Sequence, residues 1–190
     1  MKIETSEFLE DLKEKKKNIL DKVKTIASMD DTKLKWRNIL ECIEHLNLYG
    51  DFYIPEIKKA IQKNKKGNEQ YFKPGFIGNY FSNSMLPGKK MSKMKTFKDK
   101  NPIGNDLNGD VFKRFFDQQE QFQKFYHQAE NISLNRTKTS ISISSLIKLK
   151  LGDTFAFLLN HELRHLRQME NILEALEKTK GAKNDTLLQA

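Results

Sequence analysis

Apolar residues recur at three- and four-residue steps along four long segments of this chain, a period that suits amphipathic helices packed on one another. The first segment runs from about Ser6 to Ser28, with Phe8, Leu12, Ile19, Val23 and Ile26 on one face and charges between them. The second runs from about Thr32 to Lys63 and carries Ile39, Cys42, Ile43, Leu46 and Tyr53. Asp30, Asp31 and Thr32 lead into it and are helix N-cap residue types. Pro55 lies inside it; proline removes a backbone hydrogen bond, so a kink or short break is expected there. The third segment, from about Asp110 to Glu130, lines Phe112, Phe115, Phe116, Phe122 and Tyr126 along one face. The fourth starts near Gly152-Asp153 and reaches about Lys178. Together they predict a single all-α domain over residues 1–190, a four-helix bundle with a long crossover connection.

The crossover is the stretch of about 64–109, punctuated by Gly67, Pro74, Gly75, Gly78, Pro87, Gly88, Pro102, Gly104 and Gly109. A connection this long is unusual in a compact domain and suggests a crossover or a lid beside a site. Its apolar island, Phe76 to Phe81, predicts a short helix packed on the bundle. By composition Tyr71, Phe76, Tyr80 and Phe81 are candidate pocket-lining residues. A second connection, Asn131 to Ser145, is rich in Ser and Thr, and its alternation at Ile141 and Ile143 is too short to build a sheet.

The net charge is +9. Basic chains bind nucleic acid through phosphate contacts, but here the lysines are scattered, at Lys15 to Lys17, Lys63, Lys65, Lys66, Lys89, Lys90, Lys93 and Lys95. Arginines are few and no nucleic-acid motif is present, so the expectation is a solvated lysine-rich surface with no specific nucleic-acid partner. The single cysteine, Cys42, excludes an intramolecular disulfide and a cysteine-based zinc cluster. The opening residues lack the apolar core of a secretory signal, and no run approaches the roughly 20 apolar residues of a membrane helix. A cytoplasmic protein is expected.

The stretch that bears on chemistry is Asn160-His161-Glu162-Leu163-Arg164-His165-Leu166-Arg167-Gln168. Histidines four apart share one helix face, one turn apart, so both imidazoles can bind one cation. On a helical wheel they fall on the side of the apolar stripe of Phe155, Leu158, Leu159, Leu166 and Met169, with Glu162 near its middle. Arg164 and Arg167 fall on the opposite side, toward solvent. Polar groups aimed into an apolar face need partners; none is evident nearby in the sequence, and a bound cation would supply them. The His-Glu-x-x-His spacing also matches the zincin protease signature, but no downstream third ligand or preceding strand accompanies it. A di-iron site wants two Glu-x-x-His pairs, and His45 and His127 lack the glutamate three residues before them. The third ligand should come from another helix. His45 sits at the margin of the second apolar stripe, next to Cys42 and Tyr49, where a groove can open; His127 reads as a surface residue. Three histidines with an open position describe a catalytic rather than a structural site.

Trp36-x-x-Ile39-Leu40-Glu41-x-Ile43-Glu44-His45-Leu46 resembles the second helix of the DinB-like superfamily. Leu149 to Phe155 leading into His161-Glu162-x-x-His165-Leu166-x-Gln168 resembles its last helix. The resemblance spans most of the chain and is weakest over Asn64 to Asn108. It implies a four-helix bundle with His45, His161 and His165 around one divalent ion, zinc or nickel, and a tendency to form homodimers. It also implies either of two functions. One is a metal-dependent enzyme, a thiol S-transferase or hydrolase using water or a low-molecular-weight thiol such as bacillithiol, with Glu162 as water-activating base or ligand orienter and Gln168 as an orienter. The other is a non-catalytic metal-binding stress or scaffold protein.

Overall fold

The structure is a computed structural model that describes residues 2–29, 36–64, 67, 69–88 and 96–187, with backbone alone for residues 145 and 179–187. The expected cap at Asp30 to Thr32 and the lysines at Lys65, Lys66, Lys89, Lys90, Lys93 and Lys95 lie outside the described residues. Helices α1 (Thr5–Ala27), α2 (Trp36–Lys63), α4 (Asp110–Ala129) and α5 (Leu151–Leu187) form the bundle, and α3 (Phe76–Met85) is added from the crossover. α1 packs on α4 and α5, and α2 packs on the same two, so α1 and α2 lie diagonally opposite. The predicted stripes meet in one core, where Ile19, Val23, Ile39, Ile43, Phe115, Phe155 and Met169 are essentially inaccessible. Among the described residues no helix is long and apolar enough to cross a membrane.

Three local expectations need correction. The interruption expected at Pro55 is absent: α2 is continuous from Trp36 to Lys63. Pro55 and Asp51 lie on the exposed side, where the Asp51 carbonyl left without a donor can reach water. The Ser/Thr-rich connection does build a sheet. Strands β3 (Lys138–Ile141) and β4 (Ser144–Lys150) form an antiparallel hairpin with Lys138 opposite Lys150 and Thr139 opposite Leu149. The pairing recruits Lys148 to Lys150, residues beyond the stretch whose alternation is visible, and Thr139, Ile141 and Leu149 turn inward. A second pair, β1 (Ile3–Glu4) with β2 (Tyr71–Phe72), ties the start of the chain to the crossover.

The third correction concerns α5. A bundle helix ordinarily keeps one face in water, yet no residue from Leu151 to Leu166 is exposed. α3 lies along α5 and covers the face that four helices alone would leave open. Asp153, in the first turn of α5, anchors it: its carboxylate oxygens accept the Gly75 N–H at 3.1 and 3.0 Å, at the start of α3. The approach is close enough that a Cβ at Gly78 would lie 2.4 Å from the Asp153 Cβ. A Gly78→Ala chain should therefore lose about 1–3 kcal/mol to overpacking. Gly109, where nothing lies within 4 Å and φ is −61°, should accept alanine with little change. Urea unfolding of the two variants tests the contrast; equal midpoints would overturn it.

Candidate metal centre

α2 and α5 pack directly, and their contact brings three histidines together. His45 from α2 and His161 and His165 from α5 are buried or half-buried, and each can place a ring nitrogen within 4.8 Å of the others. The Nε2 atoms of His45 and His161 are 3.2 Å apart, and those of His165 and His161 are 3.1 Å apart. His45 Nδ1 lies 2.6 Å from the carbonyl oxygen of Lys100 in the crossover. A carbonyl only accepts, so Nδ1 carries the proton and a neutral His45 presents a bare Nε2 to the cluster. His161 is backed by Phe157, whose ring stacks on it at 5.8 Å and 13°.

Burial drives all three imidazoles toward the neutral form. It lowers His45 despite the Lys100 carbonyl. It pushes His161 well below the ordinary range, with the neighbouring His165, His45 and Arg164 adding to the effect. It takes His165 down to about 3, with His45 and Arg164 again contributing. Three neutral rings crowd their Nε2 atoms into one spot. With Nε2 of His45 bare, at most one of the two Nε2–Nε2 contacts can hold a proton in line, and the other is left without a hydrogen bond. A divalent cation would satisfy all three nitrogens. Imidazole nitrogens about 2.0–2.1 Å from a zinc ion at the tetrahedral angle lie about 3.3 Å from one another, close to the separations observed here. The donor set and its spacing therefore fit a divalent ion.

The cluster lies in the wall of a cavity of about 780 Å³ that also contacts Tyr49, Tyr53, Phe157 and Arg164. A shallower groove shares His45, Thr96, His165 and Gln168 with the cavity and adds Asn38, Cys42 and Asn171. Cys42 donates to the Gln168 side-chain oxygen at 3.7 Å, and burial pushes its thiol up to about 12. It is a neighbour of the three grouped histidines and not a member of the cluster.

Glu162 does not join the histidines. Its carboxylate is 4 % exposed and ion-paired with the Lys16 ammonium, itself 1 % exposed, from α1. Lys16 also donates to the Gln119 side-chain oxygen of α4 at 2.6 Å and sits 5.2 Å from the Phe122 ring centroid. Burial pulls the Lys16 ammonium down and the Glu162 charge pulls it back up. Glu162 thus has a neutralising partner that the sequence reading did not find, and the solvated surface expected for Lys15 to Lys17 holds for Lys15 and Lys17 but not for Lys16. Arg164 is also misplaced by the wheel: it is buried in the cavity wall, because the face assigned to solvent is roofed over. Arg167 does stay at the surface, with Glu170 and Glu174. His127 is likewise exposed and meets Glu130.

Of the expected lining residues, Tyr80 and Phe81 reach the cavity. Tyr71 pairs in β2 and Phe76 is 93 % exposed; neither lines it. Tyr49, Tyr53 and Phe157 escaped the sequence reading although the signal was present. They stand four and eight residues after His45 and four before His161, on the faces that carry the histidines. Thr96, Phe97, Ile141 and Leu149 come from the crossover and the hairpin, and only Ile141 belonged to an alternation noted in the sequence.

Residues 21–169 match the sequence model of the DinB superfamily. No curated protein and no solved structure gives a significant match.

Proposed function

This chain belongs to the DinB superfamily, and from that premise we propose that it is a metal-dependent enzyme acting on a small molecule, as a thiol S-transferase or a hydrolase. The observation that carries the reading is the convergence of three neutral imidazoles in the wall of a large cavity. A site built only to stiffen the bundle would be closed and four-coordinate, with no such space beside it. His45, His161 and His165 would hold one zinc or nickel ion. When bound, the ion would supply Lewis acidity, lowering the pKa of a thiol or water so that a nucleophile is available at neutral pH.

The chain's own residues orient the parts. The Lys100 carbonyl sets the tautomer and ring plane of His45, as partners of metal-binding histidines commonly do. Phe157 holds the His161 ring from the side. Gln168 stands between Cys42 and the histidines where the cavity and the groove meet. The cavity and the adjoining groove would give a thiol and an acceptor room beside the same histidines, which favours transfer over hydrolysis. Glu162, held in the core by Lys16, is not assigned the role of base. A homodimer and the absence of specific nucleic-acid binding belong to the same proposal; light scattering and a salt titration of binding test them.

Metal analysis of purified protein tests the centre. The parent chain should carry about one divalent ion, and His45→Ala and His161→Ala should each lose most of it. An unchanged stoichiometry in both variants would sink the site. Turnover of a generic electrophile with bacillithiol, glutathione or cysteine should then depend on added metal and on His161.

A further inference from the structure

The cavity identifies a substrate class, an inference that rests on the proposed function above. Its polar groups come mainly from one patch, His45 with His161, Arg164, His165 and Gln168. Elsewhere, apart from hydroxyls at Ser84, Thr96, Ser142 and the three tyrosines, the walls among the described residues are apolar, with the rings of Tyr49, Tyr53, Tyr80, Phe81, Phe97 and Phe157 as the aromatic part. Two additions to the bundle, the crossover with its helix α3 and the β3–β4 hairpin, complete those walls around Tyr49, Tyr53 and Phe157 of α2 and α5. A water molecule occupies about 30 Å³, and pockets for drug-sized organic ligands run about 300–1,000 Å³. At about 780 Å³ the space suits a whole organic molecule beside the histidines. Tyr80 and Phe97 line it yet remain 68 % and 50 % exposed, so two aromatic rings stand at its rim.

We propose that this cavity binds a bulky, predominantly apolar aromatic molecule, its reactive group at the histidines and its ring system among Tyr49, Phe81, Phe97 and Phe157. The polarity runs from one reactive patch to an aromatic remainder, so a ligand that is polar throughout would strip its own hydration without finding partners. Aromatic rings meet apolar walls and ring edges instead.

Fluorescence titration with N-phenyl-1-naphthylamine, a neutral aromatic probe, tests this on the full chain. One saturable site per chain is expected. A Tyr80→Ala/Phe97→Ala double variant, altered only at exposed positions, should weaken it by about tenfold, the effect of removing contact area from two rings. Phe76→Ala, equally apolar but outside the cavity, should leave the affinity unchanged. Absence of saturable binding would overturn the proposal, as would equal weakening by Phe76→Ala and the double variant. His161→Ala separates the two readings. If the metal reading fails and the cavity reading holds, the probe still binds the parent and His161→Ala alike. If metal binds but the probe does not, the substrate class alone falls.

Discussion

Replacing Glu162 with methionine should lower the unfolding free energy by about 3–5 kcal/mol, because it leaves the Lys16 ammonium buried without its counter-charge. Lys16→Met should cost a similar amount by stranding the carboxylate. The double variant Lys16→Met/Glu162→Met should recover most of the loss, since two apolar side chains of similar length need no counter-charge in that space. Gln119 is the third partner, and its side-chain oxygen is satisfied only by Lys16 among the contacts seen, so recovery should stop short of complete. Urea unfolding of the three variants at neutral pH gives the coupling directly. Single variants within about 1 kcal/mol of the parent would mean that the charges are not buried together in solution. The double variant should also keep its metal stoichiometry. Loss of metal there would show that Glu162 serves the centre after all.

Saturating zinc or nickel should raise stability by about 4 kcal/mol at a thousandfold excess over the dissociation constant, and His161→Ala should abolish the gain. Chelation should nevertheless leave the helices folded, because the core of Ile19, Ile39, Phe115 and Phe155 forms without the ion. Far-ultraviolet circular dichroism and thermal melts with and without chelator separate the outcomes. Unfolding on chelation would favour a structural ion and count against catalysis. The dependence on acid has a definite sign. The three imidazoles are held below their ordinary range, His165 at about 3, so below about pH 6.5 the unfolded chain binds protons that the folded chain refuses. Stability of the metal-free protein should fall as pH drops from about 6.5 toward 3, by up to about 1.4 kcal/mol per pH unit for each fully shifted imidazole. A bound ion should deepen the dependence, since protons and metal compete for the same nitrogens.

Much of the architecture was legible because helical burial is periodic. A stripe at three- and four-residue steps located all four bundle helices, and the i,i+4 spacing of His161 and His165 put them on one face before any partner was known. The same logic extended further than it first carried. Leu12 and Ile19 are seven apart, and the position that completes the stripe between them is Lys16, so a buried lysine was written into the period despite its charged neighbours. Tyr49 and Tyr53 follow His45 on the same argument. What the period could not carry is identity across space. That Lys16 meets Glu162, 146 residues away, is decided by the packing of α1 on α5. That Arg164 lies in a cavity wall follows from α3 lying over α5, and α3 belongs to a stretch whose glycines and prolines erase any stripe. The sequence alone therefore determined which helix faces form the bundle core, since burial of apolar area acts residue by residue along a helix. The tertiary structure decided which buried polar group meets which, and where a cavity opens, because both depend on how separate elements meet.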